Sequence, residues 1–247
     1  MVAGEASEEA VRLAHAHPDL SVGLHLVLVD GRPALSPDEI PHLVDASGLF
    51  PFQPVLSGLR IQFSAVVRRE LKREIRAQLE RFRSTGLRLS HVDGHHHFHL
   101  HPVVLSALLE LSAEFSIPMV RLPREEMRLG PAGNWKDLPP KLLWSTIFRR
   151  IRGHFEEEFL RAGIAVPDRV YGFWATGRMT EAYLLQLIPR IPVATAELYL
   201  HPDAEPSAGR PGSVELEALL SPRVRQALSE NGFALANSAV LEMRRAG

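Results

Sequence analysis

Short apolar runs alternate with amphipathic stretches along most of this chain, and that alternation restricts it to an α/β fold built on parallel strands. From Ser7 the sequence predicts a helix, with Glu8 and Glu9 in its first turn and Pro18 at its end. Leu20 to Val29 (LSVGLHLVLV) is nearly continuous in apolar character, broken by Gly23 and His25, and predicts a buried strand. Asp30 to Pro54, rich in Pro and Gly, predicts a long loop. Val67, Leu71, Ile75, Leu79 and Phe82 form a stripe at helical spacing that stops near Gly86. The Arg and Glu residues between them are expected on a solvated face.

Strand character returns at Leu87 to Val92, a helix opens at Pro102 and runs to about Phe115, and Pro118 to Leu122 is strand-like. Residues 125–140 are polar and irregular, and Leu142 to Leu160 predicts a helix. Val170 to Ala175, Glu181 to Ile188 and Ala194 to Leu200 then read strand, helix, strand, and Glu215 to Glu230 closes with one or two helical pieces. With five or six strand candidates among 247 residues, the parallel sheet is either open or closed into a barrel, within a single domain spanning 1–247.

Composition removes several functions. The 28 Lys and Arg residues balance 29 Asp and Glu residues, so no basic surface for nucleic acid is expected. With 0 cysteines the chain has no disulfide, thiolate metal site or Cys nucleophile, which fits a cytoplasmic location. The sequence holds no apolar run of about 18 residues, so no transmembrane segment is expected.

The chemistry concentrates at His91-Val92-Asp93-Gly94-His95-His96-His97-Phe98-His99-Leu100-His101-Pro102, with six histidines in eleven positions at the end of a predicted strand. In βα folds active sites are built at that end. Neutral imidazole is the commonest side-chain metal ligand, and a carboxylate such as Asp93 can orient a ligating ring from behind. One ion takes one or two of these histidines, and the others, His97 among them, are left for substrate contacts or support. A metal built on this cluster needs ligands from other strands, which brings in His25. Alone in an apolar strand, His25 reads as a core residue. His201 ends the strand in ELYLHP, where its ordinary pKa near 6.5 suits a general acid as well as it suits a plain surface residue. Arg121 and Arg124, in VRLPRE, read equally as binders of an oxygen-rich substrate group and as salt-bridge partners. Arg178 carries the same two readings.

The segments GLHL (23–26), HVDGHHHFH (91–99) and ELYLHP (197–202) resemble the YdjC-like carbohydrate deacetylases, and the similarity extends over essentially the whole chain. MVAGEA, VGLHLVLVDGRPAL, IPHLVDASGLF, VRLPRE, GRMTEA and ALLSPRVRQAL resemble the branch associated with hopanoid lipid biosynthesis. The resemblance implies an irregular (β/α) barrel of the TIM type and a divalent metal, Mg or Zn, held by one aspartate and two histidines. The histidines it implies are His25 and His95, with His201 as the acid. It implies removal of an N-acetyl group from a small-molecule or lipid-linked amino sugar, here an N-acetylglucosaminyl hopanoid. Leu43, Leu49, Phe50 and Phe52 of the 30–54 loop offer a peripheral membrane contact beside the plainer reading of core packing.

Members of that family begin with a strand carrying a T-A-D-D-F-G-like motif, whose two aspartates supply a metal ligand and a base. The motif does not occur in these 247 residues. The expectation is therefore an incomplete barrel lacking about one βα unit, roughly 30 residues, with exposed sheet edges that favour a homo-oligomer and with activity in question. Two other readings follow from the same residues: a phosphoesterase, and a sugar-binding protein without catalysis.

Overall fold

The structure, a computed structural model, describes residues 1–126, 138–204 and 211–236. They group into two compact units, one of Met1–Arg121 with His154–Val166 and one of Leu122–Gly153 with Pro167–Ala236. Helix Leu138–Arg161 supplies residues to both.

In the first unit, helix α1 (Ser7–Ala16) precedes strand β1 (Val22–Leu26), and helices α2 (Pro54–Phe63) and α3 (Ala65–Ser84) lead to strand β2 (Leu89–Gly94). The two strands pair in parallel, with His25 opposite Asp93 and Leu26 opposite Gly94. A parallel pair needs a long crossover, and the loop with its two helices supplies it. Beyond β2 the pairing continues through single parallel bridges, Val92 to Val120 and Met119 to Ala165. The strand-like stretch at Pro118 to Leu122 thus shrinks to bridges. The apolar run after Leu26 likewise leaves the strand, although Val27, Leu28 and Val29 stay buried. Helix α2 had no counterpart in the sequence reading. Helix α4 (Pro102–Phe115) starts at its proline, and His101 caps it by accepting from the Val103 N–H at Nδ1.

Helix α3 buries the expected stripe, but not with a uniformly solvated opposite face. Glu70, Glu74 and Gln78 are buried as well. The Glu74 carboxylate accepts from the Ala34 and Leu35 N–H groups, and Glu70 accepts from the His42 N–H and pairs with its ring. Gln78 bonds both the N–H and the C=O of Val27. These side chains satisfy loop backbone that would otherwise be stranded away from water. The long loop after β1 is therefore tied to α3, and Phe50, in an antiparallel bridge with Gly31, is packed within it.

In the second unit, helix α5 (Leu138–Arg161) is followed by strand β3 (Arg169–Tyr171), helix α6 (Glu181–Leu187), strand β4 (Ala196–Leu198) and helices α7 (Pro211–Leu220) and α8 (Pro222–Glu230). Strands β3 and β4 pair in parallel, with Tyr171 opposite Leu198. Tyr171, Met179, Leu184, Leu187, Ile188 and Ala218 form its core. The irregular stretch predicted at 125–140 falls mostly on residues outside those described. Among the described residues the sheets are two-stranded and no closed sheet is found. No helix among them is long and apolar enough to cross a membrane.

Candidate metal and catalytic site

The register of β1 and β2 sets the first contact. His25 and Asp93 are cross-strand partners, and the His25 Nδ1–H donates to Asp93 Oδ1 at 2.9 Å. The second oxygen of Asp93 is held by the Arg121 guanidinium, which is as buried as its partner. Burial pushes the Asp93 carboxyl up, but the bond from His25 and the charge of Arg121 outweigh it and hold the group well below the usual carboxylate range. An ionised Asp93 fixes the proton of His25 on Nδ1 and leaves Nε2 with its lone pair, the form in which an imidazole ligates a metal.

After β2 the chain turns through a 3-10 segment, His95–Leu100. His96 and His97 inside it take left-handed backbone angles, φ 51° and 55°. Asp30, just after the apolar run that contains β1, is left-handed too, at φ 50°. Such angles are uncommon away from glycine and concentrate at functional sites. Gly94 has no room for a side chain, since a Cβ would lie 2.7 Å from the Cβ of His99.

The turn distributes the six histidines. His95 and His96 face Asp30, whose Oδ2 lies 3.8 Å from His95 Nε2 and 3.0 Å from His96 Nε2. The rings of His25 and His95 meet edge to face at 5.7 Å. Asp30, His95 and His96 each bring one ligand atom within 4.8 Å of the others, a group that could hold a metal ion. His99 is buried, donates from Nε2 to the Arg121 carbonyl at 2.8 Å, and has its pKa pushed down to about 4, chiefly by burial. His97 lies half-buried with its ring 6.1 Å from that of His99. His101 is the cap of α4 and donates from Nε2 to the Gly58 carbonyl at 3.1 Å. His91 lies against Gly23, where a Cβ would come within 2.4 Å of its ring.

The remaining candidates belong to the second unit. His201 is exposed, its backbone N–H donates to Glu215 Oε2 at 2.6 Å, and its Nδ1 is 4.0 Å from the same oxygen. Arg124 is exposed, and its carbonyl accepts from the Val170 N–H. The structure thus joins His25, His95, Asp93 and Arg121 in one cluster and turns Arg121 inward to Asp93. Sequence reasoning passed over Asp30, His96 and the buried Glu215. Asp30 carried one usable signal, as the first acid after a strand-like run, at the end where βα folds place their chemistry.

A family model described as YdjC-like protein matches residues 1–230. The chain belongs to the YdjC-like family. A carbohydrate deacetylase of Brevibacillus brevis is 46% identical over 123 residues, which cover 50% of this chain and 46% of that protein. A carbohydrate deacetylase of Geobacillus stearothermophilus is 43% identical over 115 residues, or 43% of its length, so these matches span less than half of either relative. A carbohydrate deacetylase of Mus musculus is 30% identical across 100% of this chain and 86% of its own. A solved Enterococcus faecalis structure, titled for cellobiose-phosphate cleavage, superimposes with a TM-score of 0.74 over 98% of this chain and 85% of that one. At 23% identity it bears on the fold alone.

Proposed function

We propose that this YdjC-like chain is a metal-dependent carbohydrate deacetylase that hydrolyses the N-acetyl group of an amino sugar. The observation that carries the reading is His25, held by an ionised Asp93 in the tautomer a metal requires and set edge-on to His95. The donor set fits a divalent cation of the Mg or Zn kind: imidazoles at a strand end, backed by a buried carboxylate. His25 and His95 would hold the ion, which when bound supplies polarisation of the acetamide carbonyl and a more acidic water.

This chain's residues do the rest. Arg121 keeps Asp93 charged, and Asp93 keeps the His25 ring oriented. His201 protonates the departing amine, and its buried neighbour Glu215 steadies its backbone. His97 contacts sugar hydroxyls. The finer reading of the substrate is an N-acetylglucosaminyl hopanoid. It is supported by an exposed apolar strip, Phe52, Val55, Leu56, Leu59 and Phe63, that begins where the Phe52 ring meets His96 at 5.2 Å.

Acetate release from N-acetylglucosamine oligomers and from a lipid-linked N-acetylglucosamine, with Mg and with Zn, tests the reading. Activity lost on metal removal and in His95→Ala supports it. Release of phosphate from phosphate esters, with no acetate from either glycan, would sink it.

A further inference from the structure

Helix α2 turns its largest apolar side chains outward. Val55, Leu56, Leu59 and Phe63 lie at i, i+1, i+4 and i+8, the spacing of one helix face. Phe52 flanks the helix on one side and Val66, at the start of α3, on the other. All six are exposed, from 40% at Val66 to 78% at Phe63. The opposite face is small. Ile61 is its buried residue, beside the half-buried Ser57 and Gly58. The Gly58 carbonyl fastens that face inward by accepting from His101 Nε2 at 3.1 Å. A surface helix of a globular protein is ordinarily arranged the other way round. The six side chains expose on the order of 600 Å² of apolar surface, the upper end of what a monomer leaves in one patch.

Charge says what covers the face. No Asp or Glu occurs between Asp45 and Glu70, and Glu70 is buried and bonded to His42. Over the same stretch Arg60, Arg68 and Arg69 are exposed. Arg68 donates from Nη1 to the Gln62 carbonyl at 2.6 Å, which sets its guanidinium against the last turn of α2. At the Phe52 end, Asp30 is bonded to His96. An apolar ridge edged with arginines matches an anionic bilayer. Its headgroups take the guanidinium groups, and its acyl boundary takes the Leu and Phe side chains.

A second copy of this chain fits less well. A stable pair buries about 800 Å² on each partner, more than the strip offers. Two-fold pairing would also set arginines against arginines, with no acid in this stretch to answer them.

We propose that α2 is an interfacial helix that seats this chain on the surface of an anionic lipid bilayer. The inference goes beyond the deacetylase reading and does not depend on it, although both use the same apolar strip. Because the Phe52 ring meets His96, docking through α2 sets the histidine turn beside the headgroups.

Flotation of the full chain tests this with vesicles of phosphatidylcholine alone and of equal parts phosphatidylcholine and phosphatidylglycerol. Two double variants are run beside it, Leu59→Gln with Phe63→Gln and Arg68→Gln with Arg69→Gln. Glutamine keeps helix propensity, and all four positions are exposed, so the fold is expected to survive and circular dichroism checks it. The unaltered chain is expected to bind anionic vesicles at least about tenfold more tightly than neutral ones. The apolar variant should weaken that binding at least about tenfold. The arginine variant and added salt should each weaken it several-fold. Should the apolar variant fail to fold, Val55→Gln with Leu56→Gln takes its place.

An unaltered chain that does not float with anionic vesicles overturns the proposal. So does binding that the apolar variant leaves intact, or binding equally tight to neutral vesicles. A concentration-dependent dimer that the apolar variant abolishes also overturns it, since a second copy then covers the face. Flotation needs neither metal nor sugar. Acetate release without vesicle binding therefore sinks this inference and spares the deacetylase reading, and vesicle binding without acetate release does the reverse.

Discussion

Asp93 in the first unit and Glu125 in the second are carboxylates largely withdrawn from water, yet their surroundings push them in opposite directions. Asp93 meets a guanidinium and an imidazole, and these overcome the cost of burial. Glu125 is pushed up to about 7 by burial, which outweighs its hydrogen bonds from the N–H groups of Gly172, Phe173 and Trp174, all on Oε2. Its neighbour Glu126 adds like charge, and among the described residues Oε1 has no hydrogen-bond partner. Three backbone dipoles are thus outweighed by burial, whereas a cation is not. The first unit keeps an anion in place that holds the His25 ring. The second holds a carboxyl that changes state near neutral pH.

The comparison breaks most readily at its cation. Arg121→Met leaves Asp93 as a buried charge short of its partner and is expected to cost about 3–5 kcal/mol at pH 7, read from urea denaturation. A cost below about 1 kcal/mol would show that the guanidinium is not what sustains Asp93.

Next in size is the pH dependence of Glu125. Its folded pKa lies above its ordinary value of 4.5, so the folded state holds the proton more tightly than the unfolded chain. The stability this group contributes is complete below about pH 4.5 and is lost as the pH rises through 7, in total about 3 kcal/mol. Glu125→Gln cannot lose a proton and should flatten the stability profile between pH 5 and 8 by a comparable amount. Parallel profiles for the two proteins would refute the assignment. Asp93 has the opposite sign, and its contribution fades as the pH falls below about 4.

A smaller contrast lies in two glycines at strand ends. A Cβ on Gly172, at φ +136°, would strike the Tyr199 carbonyl at 2.7 Å, whereas one on Gly94 would strike the His99 side chain. Gly172→Ala should therefore cost about 2–3 kcal/mol and Gly94→Ala about 1–2 kcal/mol in thermal or urea unfolding. Gly94→Ala should in addition weaken Zn binding, by displacing His99. The smallest effect is expected at the exposed Lys72–Glu110 pair, where Lys72→Ala should cost under about 1 kcal/mol and less in high salt. A larger loss there would remove the distinction between buried and exposed pairs.

Much of the scaffold was legible in advance. The alternation of apolar runs with helical stripes predicted parallel pairing, and both sheets are parallel. Pro102 placed the start of α4. Helix α2 escaped notice because its apolar residues, Val55, Leu56 and Leu59, are exposed, so it shows no buried stripe of the usual kind. The buried glutamates of α3 were misread because a carboxylate at helical spacing normally faces water, and only loop N–H groups arriving from residues 34, 35 and 42 reverse that.

The sequence by itself determined that six histidines gather at one strand end, that His25 stands on another strand, and that Asp93 sits within the histidine cluster. Those are consequences of periodicity, which is local. Only the tertiary structure decided that Asp93 turns to His25 and Arg121, that Asp30 turns to His95 and His96, and that His99 and His101 are spent on backbone carbonyls. Each of these contacts joins residues more than twenty positions apart. Strand register and a left-handed turn select them, and the spacing of residues along a chain encodes neither directly.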